Sequence, residues 1–82
     1  MKETLQFLLE KIVDHPESII IDEEESESRT LLTIHAHQDD FGKIIGKSGR
    51  IIKALRDIMK LMATKQNRYV DVVLSEEETQ SE

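Results

Sequence analysis

The stretch Phe41-Gly42-Lys43-Ile44-Ile45-Gly46-Lys47-Ser48-Gly49-Arg50-Ile51-Ile52 constrains this chain more than any other. It holds all three glycines of the protein, and two of them, Gly46 and Gly49, enclose the polar pair Lys47 and Ser48. Glycine accepts a positive φ without steric cost and lets a second backbone approach closely, so this spacing predicts a sharp turn. Apolar residues flank the turn on both sides: Phe41, Ile44 and Ile45 before it, Ile51, Leu55 and Ile58 after it. Their periodicity reads as helix, tight turn, helix. The second helix starts at the turn, so its free N–H groups and positive dipole end point at whatever sits there. Lys43, Lys47 and Arg50 add full charges. Such a place suits a phosphate backbone.

The charge balance must be read locally. The 82-residue chain carries a net charge of −6, which taken alone argues against a polyanionic partner. Between Lys43 and Arg68, however, eight basic residues face a single acid, Asp57, which gives this segment +7 and leaves −13 for the rest. A cationic patch on an acidic protein still binds a polyanion. At 38% hydrophobic and 34% charged, the chain reads as one small globular domain. No apolar run approaches the ~20 residues of a membrane span, so no membrane partner is expected. The opening Met1-Lys2-Glu3-Thr4 has no apolar signal-like region, and cysteine is absent, which excludes disulfides and thiolate metal sites. The expected address is the cytoplasm.

Taken in order, Glu3 to Asp14 reads as an amphipathic helix with Leu5, Leu8, Leu9 and Ile12 on one face, Val13 widening it and Phe7 off it. Pro16 should end that helix. Ser18 to Asp22, around Ile19-Ile20-Ile21, reads as a strand, and Asp22 to Glu27 as a solvated acidic loop rather than a metal site. Arg29 to Ala36 alternates, with Leu32, Ile34 and Ala36 on one side. His35 and His37 would share a face near Asp39 and Asp40; with no other histidine near in sequence, they read as solvent-facing strand-end residues, not metal ligands. Asp39 and Asp40 suit the start of the next helix, as caps, and that helix is short, to Ile45. After the turn, a long helix runs from Gly49 to Lys65. Its apolar residues Ile51, Ile52, Ala54, Leu55, Ile58, Met59, Leu61, Met62 and Ala63 span roughly 200°, about twice what one sheet face covers. The surplus is expected toward Ile52, Met59 and Ala63 on one edge and Ala54 and Leu61 on the other. Asn67 is a helix-stop residue. Tyr69 to Leu74 is a third strand with Val70, Val72 and Leu74 inward, and 75–82 reads as an acidic, flexible tail after a domain of residues 1–74. The order α-β-β-α-α-β predicts an α+β fold: three helices on one face of a three-stranded mixed sheet, its first two strands antiparallel and its third parallel to its neighbour.

Three functional classes compete for this pattern. A nucleotide-hydrolysing P-loop needs four residues between its glycines and a strand leading into the loop; Gly42 and Gly46 enclose three, and a helix precedes the turn. No nucleophile elbow, triad pattern or other enzyme signature is present, and no cofactor is implied. An interaction module is supported by the wide apolar arc of the long helix, with Met59 and Met62 on it. Nucleic-acid binding is supported by the turn and its charge.

The residues around the turn resemble the core of a KH domain: two aliphatics, Ile44 and Ile45, then Gly46-Lys47-Ser48-Gly49, then Ile52 three residues past the second glycine. The element order resembles the type II (prokaryotic) arrangement. More narrowly, Val13-Asp14-His15-Pro16, Asp40-Phe41-Gly42-Lys43-Ile44-Ile45-Gly46-Lys47-Ser48-Gly49-Arg50 and Ala63-Thr64-Lys65-Gln66-Asn67 look like the small bacterial KhpA family, with Phe41 where Met is as often expected. The resemblance implies that the turn clamps about four nucleotides of single-stranded RNA. Gly46 and Gly49 would permit the approach, Lys47 and Ser48 would donate, Lys43, Arg50 and Lys53 would add charge, and bases would lie over Ile44, Ile45, Ile52 and Leu32 or Ile34. With Phe 2, Tyr 1 and Trp 0, the chain lacks the stacking aromatics of other RNA-binding sheets, which a KH groove does not need. It further implies an RNA chaperone or post-transcriptional regulator, paired with itself or with a second KH protein of the KhpB (Jag) type, and linked to cell elongation and division.

Overall fold

The computed structural model describes residues 1–75. Six elements carry the fold in the order α1 (Lys2–Glu10), β1 (Ile20–Glu25), β2 (Arg29–His35), α2 (Phe41–Ile45), α3 (Arg50–Lys65) and β3 (Tyr69–Leu74), with single 3-10 turns at Pro16–Ser18, Gln38–Asp40 and Lys47–Gly49. The sheet order is β1-β2-β3, with β1 antiparallel and β3 parallel to the central β2. All three helices lie on one face, as the alternation in the strands requires. Ile21 of β1, Thr30, Leu32 and Ile34 of β2, and Val70 and Val72 of β3 point into a core closed by Leu5, Leu9, Ile44, Ile52, Leu55, Met59 and Ala63. The opposite sheet face stays open, with Ile20, Tyr69 and Val73 exposed and His35 Nε2 paired to Asp22 Oδ2 across the strands at 2.8 Å. No described helix is long and apolar enough to cross a membrane. Apart from Ser75, the expected tail lies outside the described residues.

Several boundaries differ from the sequence reading, each for a physical reason. The first helix stops at Glu10, not at Asp14, and Pro16 is not what ends it. After a last turn in which Val13 N donates to Leu9 O, the Asp14 and His15 N–H groups donate to the Asp40 carboxylate, at 3.1 and 2.9 Å, instead of to carbonyls four residues back. The first strand starts later and runs on to Glu25, through the acids read as a loop. Pairing with β2 uses backbone groups alone, from Ile20 opposite His35 to Glu25 opposite Thr30, and an edge strand can turn its acids to water. The connection shrinks to a tight turn held by Arg68, whose guanidinium donates to the carbonyls of Ser26, Glu27 and Arg29 and to the buried Thr30 hydroxyl. Asp40 caps nothing: its side chain makes no bond to the start of α2. His37 caps the preceding 3-10 turn instead, its Nδ1 accepting from Asp39 N.

Asp40 therefore joins the end of α1 to the start of α2. Its side chain has no exposed surface. Burial alone would push its carboxyl up, but the two backbone N–H bonds and the His15 ring beside it outweigh that cost and hold it below the usual carboxylate range. A carboxylate whose folded pKa is depressed contributes stability that is present above its unfolded value, ~3.9, and is lost as pH falls through the folded value. Asp40→Asn should lower the unfolding midpoint at neutral pH by on the order of 10 °C, since the N–H donors lose a charged acceptor. Thermal unfolding followed by circular dichroism between pH 7 and acid should show the gap between wild type and variant closing below about pH 4; a constant gap would mean that the ionised carboxylate is not the stabilising species.

Candidate nucleic-acid interface

The turn is built from left-handed backbone. Gly46 has φ 78°, Ser48 φ 57° and Gly49 φ 73°. The glycine spacing pointed to the first and last of these; the middle one, a serine, has no sequence signal. Gly46 N closes α2 on Gly42 O at 2.8 Å and Gly49 N closes the turn on Gly46 O at 3.1 Å. Gly49 then sits at the cap position of α3. Gly46 is needed for space as well as conformation: a Cβ there would lie 2.6 Å from Ile51 Cγ1 and 2.9 Å from Ile51 N. A Cβ on Gly49 or on Gly42 would meet nothing within 4 Å. At the tip, Lys47 and Ser48 are exposed, and the charged end of Arg50 follows at the first position of α3.

The structure sorts the eight basic residues of the +7 segment into unequal groups. Arg68 is committed to the β1–β2 turn. Arg56 Nε donates to the Val72 carbonyl at 2.9 Å, which ties α3 to the edge strand β3. Lys43 pairs with Asp14 and Lys53 with Asp57, both at 3.2 Å. These are exposed pairs of small worth that a phosphate can replace. Among the described residues, Lys47, Arg50, Lys60 and Lys65 carry no ion pair or side-chain hydrogen bond. Two of these four stand at the turn, and Lys60 lies on the flank of α3 that faces β3. Over that flank runs an open groove of about 390 Å³ lined by Arg56, Lys60, Leu31 and Val70 to Val73.

The aliphatics expected to lie under the bases are mostly in the core. Leu32, Ile34 and Ile44 are fully buried and Ile52 nearly so, so none of them offers a face to a base. Only Ile45 among the named aliphatics is half-exposed. Their part is to hold the turn from beneath: α2 is pinned by Ile44 in the core, and α3 by Ile52. A residue's apolar character does not say whether it faces the core or a groove. Arg56 and the edge of β3, which flank the groove that is present, were identifiable only as a basic helix residue and a strand.

The chain matches the family model "KhpA/KhpB, KH domain" over residues 2–74. It is 39% identical over 75 residues to a protein of Oceanobacillus iheyensis, covering 89% of this chain and 100% of the relative. It is 39% identical over 72 residues to one of Clostridium perfringens, covering 88% and 96%, and 36% identical over 77 residues to one of Chlamydia pneumoniae, covering 94% and 99%. All three are named RNA-binding protein KhpA. No solved structure is a significant match to this chain.

The geometry ranks three alanine substitutions. Gly46→Ala meets both a positive φ and an immovable backbone nitrogen, and should cost about 3 kcal/mol. Gly49→Ala meets only the positive φ, and should cost about 1–2 kcal/mol. Gly42→Ala, inside α2 with open space around it, should be neutral or stabilise by about 0.5–1 kcal/mol. Urea unfolding of the three variants gives the order directly; a Gly49→Ala loss equal to that of Gly46→Ala would show that Ile51 yields.

Proposed function

This chain belongs to the KhpA/KhpB family of KH domains, and we propose that it grips single-stranded RNA at Gly46-Lys47-Ser48-Gly49, with the strand continuing along the basic flank of α3. The observation that carries this is the pair Lys47 and Arg50, exposed at a left-handed turn and unpaired among the described residues, at the N-terminal end of a 16-residue helix. Phosphates meet there the side-chain charges, the helix dipole and a backbone that glycine lets them approach. Lys43 and Lys53 exchange their surface carboxylates for phosphate, Ile45 and Ile51 are the half-buried aliphatics beside the turn, and the groove between Arg56, Lys60 and β3 receives the downstream nucleotides. Direct contact from Ile44 and Ile52 is not part of this reading. The relatives' name states binding and no catalysis, in keeping with a sequence that carries no enzyme signature. By family resemblance the reading extends to an RNA chaperone or post-transcriptional regulator in the cytoplasm, partnered by a KhpB-type protein and acting in cell elongation and division.

Lys47→Asp with Ser48→Asp changes the charge at the turn by −3 and keeps a residue type that tolerates left-handed backbone at position 48. Affinity for single-stranded RNA, read by fluorescence anisotropy, should fall tenfold or more with an unchanged circular-dichroism spectrum. If roughly three phosphates are neutralised, the wild-type slope of log K against log salt should be about −2. Unchanged affinity, or a flat salt response, would remove the phosphate clamp.

A second reading, as a dimerisation module, rests on what α3 leaves uncovered. The expected surplus toward Ile52, Met59 and Ala63 does not exist: these are 8%, 0% and 1% exposed, because they form the centre of the buried stripe. The other edge is real. Ala54, Ile58 and Leu61 lie side by side in solvent, Leu61 at 70% exposure. One KH unit reads few bases, so a second unit joined there would raise affinity by linkage. Sedimentation equilibrium should therefore show wild type heavier than 9.5 kDa at micromolar concentration, and Leu61→Asp should return it to monomer without unfolding it. A wild type that stays monomeric ends the self-association reading, and a dimer that survives both Ile58→Asp and Leu61→Asp lies elsewhere.

A further inference from the structure

The fold brings together three side chains that bear metal-ligand atoms from two loops far apart in sequence. His15 follows α1; His37 and Asp39 lie between β2 and α2. A ring nitrogen of each histidine and a carboxylate oxygen of Asp39 lie within 4.8 Å of one another. The imidazoles stack with centroids 4.0 Å apart and planes 11° from parallel. His37 Nδ1 stands 3.7 Å from Asp39 Oδ2 and accepts from Asp39 N at 3.0 Å, a hydrogen bond that an ion on this nitrogen would replace. Both rings are half-buried and Asp39 is exposed, so the cluster opens to solvent on one side.

We propose that His15, His37 and Asp39 bind a divalent transition-metal ion of the zinc, cobalt or nickel type. Two imidazoles and one carboxylate, with a position left for water, are a donor set that zinc uses; calcium and magnesium want more oxygens than this site supplies. Bond lengths of about 2.0–2.2 Å in tetrahedral geometry put ligand atoms ~3.4 Å apart, so the cluster needs to contract by on the order of 1 Å.

An independent feature points the same way. The buried Asp40 carboxylate is 3.2 Å from His15 Nδ1 and also accepts from His15 N. A metal-ligating histidine usually donates its second ring N–H to a carboxylate, which fixes the tautomer, aims the other nitrogen and makes it more basic. Asp40 stands in that position for His15, leaving Nε2 as the ligand atom. Lys43 of α2 is paired with Asp14 at 3.2 Å. Two nearly parallel rings cannot both hold one ion in their planes, so binding tilts them apart and breaks the stack. The ion then ties the loop after α1 to the entrance of α2, the helix that leads into the turn.

The test uses the full, tag-free chain with cobalt(II) as the spectroscopic probe and zinc(II) as competitor. One equivalent of cobalt should bind at micromolar concentration with the intense visible absorption of four-coordination, and zinc should displace it and raise the thermal midpoint. His15→Gln, His37→Gln and Asp39→Asn should each weaken binding tenfold or more. NMR of the wild type needs no variant: nickel(II) should broaden the His15 and His37 ring signals first and leave those of His35, paired to Asp22 on the sheet, until later. Absence of saturable binding below millimolar metal, or broadening of His35 as early as the other two, overturns the proposal. So does undiminished affinity in the folded Asp39→Asn and His37→Gln variants, which would place the ion on the acidic edge of β1.

Discussion

The architecture turns on one close approach. Ile51 occupies the space where a side chain of residue 46 would stand, with its backbone nitrogen 2.9 Å from the site of a Cβ. That contact folds the first turn of α3 against the end of α2 with only Gly46, Lys47, Ser48 and Gly49 between them. α2 is five residues long, too short to be stable by itself, and depends on α3 and the core for its existence. α3 in turn is fixed on the sheet by Leu55, Met59 and Ala63. The result is a corner whose outer surface is two exposed polar residues, Lys47 and Ser48. Ser48 at φ 57° is the uncommon element there, since a non-glycine residue in that region carries a conformational cost and such costs gather at sites of function.

Around this corner, charges of the same sign have unlike duties. Arg68 and Arg56 spend their donors on carbonyls of the β1–β2 turn and of β3, and so belong to the fold. Lys47 and Arg50 do not, and stand exposed at the turn. A count of basic residues treats all eight alike; their hydrogen bonds separate them. The same holds for the acids. Asp40, one of seventeen, is bonded inside the protein to two backbone amides and a histidine, while the acids of β1 hang in water along a sheet edge and discourage strand addition there.

α3 presents different surfaces on its two flanks. Toward β3 it shows Arg56 and Lys60 over an open groove, fit for a polyanionic strand that leaves the turn. On the far side Ala54, Ile58 and Leu61 form an apolar ridge, fit for a second folded chain. The two surfaces do not overlap. Because both start from the helix that the turn initiates, the geometry of Gly46 to Gly49 bears on each.

The sequence by itself determined the layer architecture, the strand directions and the place of the turn. These follow from local rules: periods of two and of 3.6 residues, a glycine pair at fixed spacing, and the chain length each connection allows. Asn67, expected to stop the long helix, has φ 59° just past it. What only the tertiary structure decided are relations between residues distant in sequence. The end of α1 is set by Asp40, 26 residues beyond Asp14, and no local pattern encodes that. Leu32, Ile34, Ile44 and Ile52 became core and not groove, because burial depends on what packs above a residue as much as on its own side chain. His37, which had only His35 near it along the chain, gained His15 in space when the loop after α1 folded over the entrance of α2. Hydrophobic and turn preferences act over a few residues and can be read in order; hydrogen bonds and side-chain clusters depend on distances in three dimensions, which exist only once the chain has closed on itself.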